Sequence, residues 1–597
     1  MKSLQIELGH KGRHIAPACS TAIGLLRAAS MFFAALLASL VGIGATPAAA
    51  ATCGSLAGLS LQDATITAVQ SVAAGTYTAP DGEVFTNLPG FCRIAATLTP
   101  TSDSNIRIEV WMPSSSWNGR YLGTGNGGNG GSIIYGALAE HLALNYAVAN
   151  TDQGTSDGVG PHPLVGHPEK QIDSATRSTN LMTVRSKQII EAFYGEPAKY
   201  SYFAGCSGGG GQSVHEALQF PGDYDGIIAG APFMNWTHLN VGHIWNSLAF
   251  DGPGLITLAQ ANAVTAAVVK QCVGKDGGLS SDNFLRDPRD CQWDPGALQC
   301  TGGPGDAATC LTAPQVGALR KFYQGPINPR TSERILAGRV RGSENNPVYL
   351  AALPGLGPSV GIQYWVFGND FDWRTFDFDH DMDTIDEELA ARLNANTADL
   401  EEFKSHGGKL ILVHGFADPR LPTLNTIDYY ERLIASQTRE GRHDERERKE
   451  ALRRTQDFAR LFLFPGVSHC GGGAGPDTIQ GDTIPLSGGH STITRVALDP
   501  LVQWVEQGVP PDQMTAYKVT TDGMTVFSRP VCPYPELPRY RGAGDTTKAS
   551  SFVCVADRDH DDNQPPAPRY LDDGDNYPIV PVTPIEDRDH AHDQHDR

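Results

Sequence analysis

No C-x-x-C pair occurs among the eleven cysteines of this 597-residue sequence, so neither a thioredoxin-like redox centre nor a zinc ribbon has its ligand spacing. Positive charge is scarce. The 46 Lys and Arg stand against 66 Asp and Glu, a formal net charge of -20, which excludes nonspecific nucleic-acid binding as a principal role. Beyond the N-terminal region no apolar run is long enough to span a bilayer, and no internal repeat is found. What is present is ordinary for a soluble globular chain, with 40% hydrophobic and 19% charged residues. The length suits one large core, or a core with an inserted domain.

The N-terminus has the layout of an export signal. Lys2, Lys11, Arg13 and Arg27 form a basic lead, an apolar run follows over 31–44, and the Ala-rich 45–51 offers A-x-A cleavage options. Residues 1–51 are expected to be a signal peptide, and the mature protein to be secreted or periplasmic, free of the membrane once cleaved. An uncleaved anchor is the alternative, for which the run is short. Cys19 falls within that signal. The ten cysteines after it are an even number in an exported chain, which points to disulfides. At the other end, 556–597 is rich in Asp, His and Pro and is expected to be a disordered acidic tail.

Between these ends the pattern is α/β. Residues 106–112, 146–150 and 200–204 read as strands, 178–194 and 212–220 as helices, and 123–131 (GTGNGGNGG) as a glycine-rich loop. Such alternation favours a parallel sheet with helices on both faces. From 236 to 398 the texture shifts to Gly, Pro and Trp with four cysteines, an insertion rather than more sheet. Strands resume at 409–414 (KLILVH) and 461–464, and the charge-dense 439–454 between them reads as a solvated helix or loop.

The sharpest local signal is Gly205-Cys206-Ser207-Gly208-Gly209, a G-x-S-x-G nucleophile elbow set between a strand and a helix. The sharp turn strains the serine backbone, and glycines two before and two after it avoid clashes. A serine hydroxyl needs a base. His469, after the strand LFLF, is placed to be that base, and Asp418, in HGFADP, comes between nucleophile and base. Ser, Asp, His is the chain order of an α/β-hydrolase. His469 would take the serine proton and return it to the leaving alcohol, while Asp418 would fix the imidazole tautomer and stabilise its cation. His414 competes with His469. Asp383 and Asp386 compete with Asp418, but they lie in the acidic run DFDHDMDTIDEE, a solvated or ion-binding surface. For the oxyanion, the expected N–H donors are Gly208 and a residue of the 123–131 loop, Gly128 or Gly127. Cys206 precedes Ser207 and Cys470 follows His469. If Ser207 and His469 are in contact, their neighbours come near enough for a disulfide, whose Cα atoms lie ~4.4–6.8 Å apart; pairing of each cysteine elsewhere is the alternative.

With these motifs the chain resembles the tannase and feruloyl esterase family. The matching segments are WNGRYLGTGNGG, YFAGCSGGGGQ, FPGDYDGIIAGAP, GKLILVHGFADP, ARLFLFPGVSHCGGG and RPVCPYPELPRYRGAGD, in the family's order across nearly the whole mature chain. The resemblance implies an α/β-hydrolase core over 53–235 and 399–555, with a lid domain over 236–398 that covers the pocket and sets the substrate. It implies a Cys206–Cys470 disulfide and four local pairs, Cys53–Cys92, Cys272–Cys291, Cys300–Cys310 and Cys532–Cys554. The triad, Gly128 and Gly208 carry over at matching positions. It also implies a structural calcium in a lid loop of the form C-D-x-x-D-G-x-x-D-G. Here that loop reads CVGKDGGLSSDNF: Asp276 and Asp282 match, but Val273 replaces the first aspartate, two residues are inserted and Asn283 replaces a glycine. In a second departure, Gly210 and Gly211 follow the elbow where larger residues are common, which is expected to widen the pocket or loosen the helix start. Tyr364, Trp365 and Phe367 are candidates for stacking on an aryl acyl group or for packing within the lid, and Asn235-Trp236-Thr237 is a glycosylation sequon.

The function so implied is hydrolysis of aromatic carboxylic esters, of hydroxycinnamate or gallate type, through an acyl-enzyme on Ser207 without an organic cofactor. The same triad could serve terephthalate half-esters or aliphatic esters. A noncatalytic binding module on this fold is the alternative of another class, and it calls for a broken triad or a filled pocket.

Overall fold

The computed structural model describes residues 51–128, 130–155, 164–302, 309–344, 361–439, 445–481 and 491–556. The export signal expected over 1–51 and the acidic tail expected over 556–597 lie outside these residues, apart from Ala51 and Ala556.

Among the described residues nine strands form one sheet. They are β1 Ala64–Val72, β2 Phe91–Leu98, β3 Ile106–Pro113, β4 Arg120–Thr124, β5 Ala147–Thr151, β6 Tyr200–Cys206, β7 Gly226–Gly230, β8 Lys409–Gly415 and β9 Ala459–Phe464. Their order in space is β1-β2-β3-β5-β4-β6-β7-β8-β9. Neighbours from β5 through β9 run parallel. The pairs β1–β2, β2–β3 and β3–β5 are antiparallel, so the expected parallel sheet holds for its far end only. The reason is local: β2 and β3 are joined by the short turn 99–105, which suffices for antiparallel neighbours but not for a crossover. The half-exposed alternation of β1 marks it as an edge. By contrast β7 and β9 are buried at every position, as continuous apolar runs in a covered parallel sheet must be.

The principal helices are α1 Tyr135–Ala143, α2 Ser178–Tyr194, α3 Gly208–Gln219, α4 Trp236–Phe250, α5 Leu258–Cys272, α6 Ala313–Gln324, α7 Thr423–Ser436, α8 Glu445–Gln456 and α9 Thr492–Gln507. They cover both sheet faces. Met182 and Ile189 of α2, Val214 of α3 and Leu433 of α7 share one core cluster; Leu138 of α1 and Ile493, Leu501 and Trp504 of α9 share the other. Each such side chain taken fully from water contributes roughly 1.5–3 kcal/mol. The described part of the charge-dense stretch from Glu445 onward lies in α8, which buries Ala451 and Thr455 and exposes most of its charges.

The chain leaves the sheet after β7 and returns at β8, its spatial neighbour. The described part of the intervening segment holds α4, α5 and α6. Thr257 with Gln260 and Thr312 with Gln315 form capping boxes that satisfy the first amides of α5 and α6. The segment has its own apolar clusters, one around Phe233, Trp236, Ile244 and Trp365 and one around Phe250, Val264 and Phe322.

Candidate active site

Ser207 sits between β6 and α3 with φ 63° and ψ -119°, a conformation that residues with a Cβ rarely adopt. Backbone bonds hold it there. The Ser207 N–H donates to the Gly230 carbonyl at 2.9 Å, and the Ser207 carbonyl accepts from the amides of Gly211 and Phe233, each at 3.0 Å. Close packing explains the flanking glycines: a Cβ at Gly205 would lie 2.4 Å from the Gly209 carbonyl oxygen, and one at Gly209 2.9 Å from that of Asn126. Gly210 and Gly211 do not open the pocket as expected. A Cβ at Gly210 would meet the Gly230 oxygen at 2.2 Å, and one at Gly211 the Phe233 oxygen at 2.5 Å. These glycines let α3 close onto the backbone that follows β7, so the space is filled.

Asp418 is buried on the loop after β8, and both its oxygens are saturated. Oδ2 accepts from His469 Nδ1 at 2.7 Å and from His414 Nε2 at 3.1 Å. Oδ1 accepts from the amides of Arg420 at 2.7 Å and Leu421 at 3.0 Å. Burial alone would raise this carboxyl; the two imidazoles and their hydrogen bonds outweigh it and hold the group well below the usual carboxylate range. His414 and His469 therefore do not exclude each other. His414 lies sealed beneath the carboxylate, its Nδ1 2.8 Å from Thr426 Oγ1. Of the competing acids, Asp386 pairs with His238 Nε2 at 2.9 Å and Asp383 is exposed.

Five disulfides are formed: Cys53–Cys92, Cys206–Cys470, Cys272–Cys291, Cys300–Cys310 and Cys532–Cys554. The second brings the neighbours of Ser207 and His469 to a Cα separation of 6.0 Å. Gly128 and Gly208 also meet, since a Cβ at Gly208 would lie 2.2 Å from the Gly128 oxygen. Among the described residues neither glycine's N–H makes a hydrogen bond. Asn126 pins the loop that carries Gly128: its N–H donates to Gln212 Oε1 at 2.8 Å, its Nδ2 to the Thr151 carbonyl at 2.8 Å, and its carbonyl accepts from Gly209 at 2.6 Å. Two free amides beside a serine can stabilise a developing oxyanion.

Nothing in the sequence singles out Arg339. It is buried, and it donates from Nε to the Pro419 carbonyl at 3.2 Å and from Nη2 to that of Arg420, fastening the inserted segment to the loop that carries Asp418. Its sequence context does not distinguish it from other arginines. Trp365 is packed within the segment's own core, and Phe367 stacks on Phe371 at 4.6 Å. Asn235 of the sequon is buried, with its side-chain oxygen capping α4.

The calcium loop does not fit a cation. Asp276 is 2% exposed; its Oδ2 accepts from the amides of Arg286 and Asp287 and its Oδ1 from that of Gly278. Arg286 Nε donates to the Asp276 carbonyl. Asp282 Oδ1 accepts from Arg529 Nη2 at 2.7 Å. Calcium asks for roughly six to eight oxygen ligands, whereas these carboxylates already face N–H donors and a guanidinium. Among the described residues no group of three or more His, Cys, Asp or Glu is arranged to hold a metal.

A family model described as tannase and feruloyl esterase matches residues 92–349 and 362–555. An uncharacterised esterase of Xanthomonas campestris pv. campestris is 36% identical over 553 residues, 87% of this chain and 94% of its own length. The mono(2-hydroxyethyl) terephthalate hydrolase of Piscinibacter sakaiensis is 29% identical over 583 residues, 82% of this chain and 88% of its own. The crystal structure of feruloyl esterase B from Aspergillus oryzae is similar at a TM-score of 0.74 and 28% identity, over 84% of this chain and 99% of that one.

Proposed function

The chain belongs to the tannase and feruloyl esterase family and is a carboxylic ester hydrolase, and on that premise we propose that it cleaves aromatic esters of hydroxycinnamate or gallate type with Ser207 as nucleophile, His469 as base and Asp418 as acid. One observation carries the reading: the imidazole that meets Asp418 at 2.7 Å is followed by a cysteine bonded to the residue before Ser207. His469 accepts the Ser207 proton as Oγ attacks the ester carbonyl. The negative oxygen of the tetrahedral intermediate takes N–H bonds from Gly128 and Gly208. The proton passes to the departing alcohol, leaving an acyl-serine. Water, deprotonated by the same imidazole, then releases the acid and restores the serine. Asp418 stays ionised throughout and stabilises the imidazolium.

The segment between β7 and β8 acts as the lid that sets the acyl group. Five disulfides suit an oxidising compartment, consistent with export. A second reading, hydrolysis of terephthalate half-esters, is favoured by the similarity to the Piscinibacter sakaiensis enzyme.

The test is turnover of methyl ferulate, methyl gallate, mono(2-hydroxyethyl) terephthalate and 4-nitrophenyl acetate by the protein and by Ser207→Ala. Highest kcat/KM on the first two, lost in the variant, is the expected result. Preference for the terephthalate ester selects the second reading. Activity that survives Ser207→Ala removes that serine as nucleophile.

A further inference from the structure

α4 is the first helix after β7, and one of its faces carries buried polar atoms that lack partners. Trp236, Asn240 and His243 fall at i, i+4 and i+7, the spacing of a single helix face. Trp236 Nε1, Asn240 Oδ1 and His243 Nε2 are each sealed from solvent and, among the described residues, make no hydrogen bond. Buried donors and acceptors are nearly always satisfied, and one left bare is costly. Three on one helix face are polar groups that no described side chain satisfies and that another molecule could satisfy.

This face lies against the reaction centre. Phe233, whose amide donates to the Ser207 carbonyl at 3.0 Å, packs edge-on against the Trp236 ring with centroids 5.0 Å apart and nearly parallel to the His243 ring at 6.4 Å and 27°. A Cβ added at Gly211, one turn into α3, would lie 3.6 Å from Trp236 Nε1. On the other side the charges nearest His243 in effect are Arg420, Arg339, His469 and Asp418. His243 is thus held between the nucleophile's elbow and the loops that carry acid and base.

Burial first, and then the two arginines, push its titration well below the ordinary histidine range. The ring is therefore neutral, with one N–H and one lone pair. A neutral imidazole beside an aromatic wall suits an uncharged group that can both give and accept a hydrogen bond, held on a flat apolar ring. A phenolic hydroxyl has that chemistry; an alkyl chain or a bare phenyl ring does not.

We propose that His243 is a specificity-determining residue that reads a ring hydroxyl of the aryl acyl group through Nε2. The inference rests on the esterase reading above and refines its substrate. It is tested by kcat/KM on methyl ferulate, on methyl cinnamate, which lacks the hydroxyl, and on 4-nitrophenyl acetate, for the protein and three variants. His243→Leu removes both nitrogens, His243→Gln returns an amide at about the reach of Nε2, and His243→Asn returns one at about the reach of Nδ1. His243→Leu is expected to lose roughly 10- to 100-fold on methyl ferulate and less than about threefold on methyl cinnamate, the size of one buried hydrogen bond. His243→Gln is expected to recover most of the loss, and His243→Asn little. Equal losses on both aryl esters overturn the proposal and mark His243 as structural. Should His243→Leu fail to fold, the contrast of Gln with Asn decides, and equal behaviour of the two overturns it. An unaltered protein that cleaves all three esters without preferring ferulate to cinnamate overturns it while leaving the esterase reading standing; one inactive on every ester overturns both.

Discussion

A single oxygen of Asp418, Oδ2, accepts hydrogen bonds from two imidazoles, His469 at 2.7 Å and His414 at 3.1 Å. An ionised carboxylate only accepts, so His414 carries its proton on Nε2 and accepts the Thr426 hydroxyl at Nδ1. On the proposed triad His414 is then a positioning residue, acting on His469 through Asp418. A hydrogen bond to a charged group contributes ~1.5–3 kcal/mol, so His414→Leu should lower kcat roughly 10- to 100-fold and leave KM nearly unchanged. The acid limb of its kcat–pH profile should also shift, because Asp418 loses a donor that stabilises its charge. A fall in KM-dependent binding alone, with kcat and pH profile intact, would contradict this role.

The Cys206–Cys470 bridge spans 264 positions, against 39, 19, 10 and 22 for the others. Cross-links over longer loops restrict the unfolded chain more. Replacing both cysteines by serine should cost ~2–5 kcal/mol in urea unfolding, more than the same change at Cys300 and Cys310. Below the unfolding range kcat should still fall, because the loops carrying Ser207 and His469 lose their tie. Full kcat in the double variant would leave the bridge a stability element only.

Arg529 supplies the positive charge that faces Asp282. Its guanidinium lies over the rings of Phe527 and Phe552 at 4.8 and 4.4 Å and pairs with the carboxylate at 2.7 Å. Burial raises the Asp282 carboxyl and Arg529 opposes it. Arg529→Met leaves a largely buried charge unpaired, which should cost ~1–3 kcal/mol; adding Asp282→Asn should recover much of it. Neither EGTA nor added calcium should move the melting temperature of the unaltered protein. A drop of several degrees in EGTA would show that the loop holds calcium after all.

The elbow, the strands entering it and the order Ser207, Asp418, His469 were legible because each needs local features: glycines at close approaches, apolar runs in buried strands, loops at strand ends. Helix α2 could be read from its periodicity alone. The antiparallel strands β1 and β2 were not, since their nine and eight residues are rich in Ala and Thr and carry few large apolar side chains. In the sequence His414 stands only as a rival base, because a linear sequence does not reveal that a histidine four residues before Asp418 can share its oxygen with another fifty residues on. Arg339 and His243 act across the gap between core and insertion, and their importance lies in what they face rather than in any motif. The calcium loop shows the converse: partial matches at Asp276 and Asp282 survive while their neighbours turn the carboxylates inward.

His215 should make the protein sensitive to mild acid. It lies buried on α3, where Nε2 donates to the Leu393 carbonyl at 3.1 Å and Nδ1 accepts from Gln219 at 3.3 Å. This fixes a neutral tautomer and ties α3 to the end of the inserted segment. Burial lowers its pKa from 6.5 to about 4, with the Leu393 carbonyl opposing. Between those values the unfolded chain binds a proton that the folded one refuses. Stability from this group is therefore complete above about pH 6.5, falls as pH drops and is exhausted below about pH 4. At pH 5 the loss should be about 2 kcal/mol relative to neutral pH. His215→Gln keeps a donor for Leu393 but cannot titrate, so its urea midpoint should fall less between pH 7.5 and 5 than that of the unaltered protein. Equal falls would mean that His215 titrates near its ordinary value, and that α3 and the inserted segment part before the imidazole is charged.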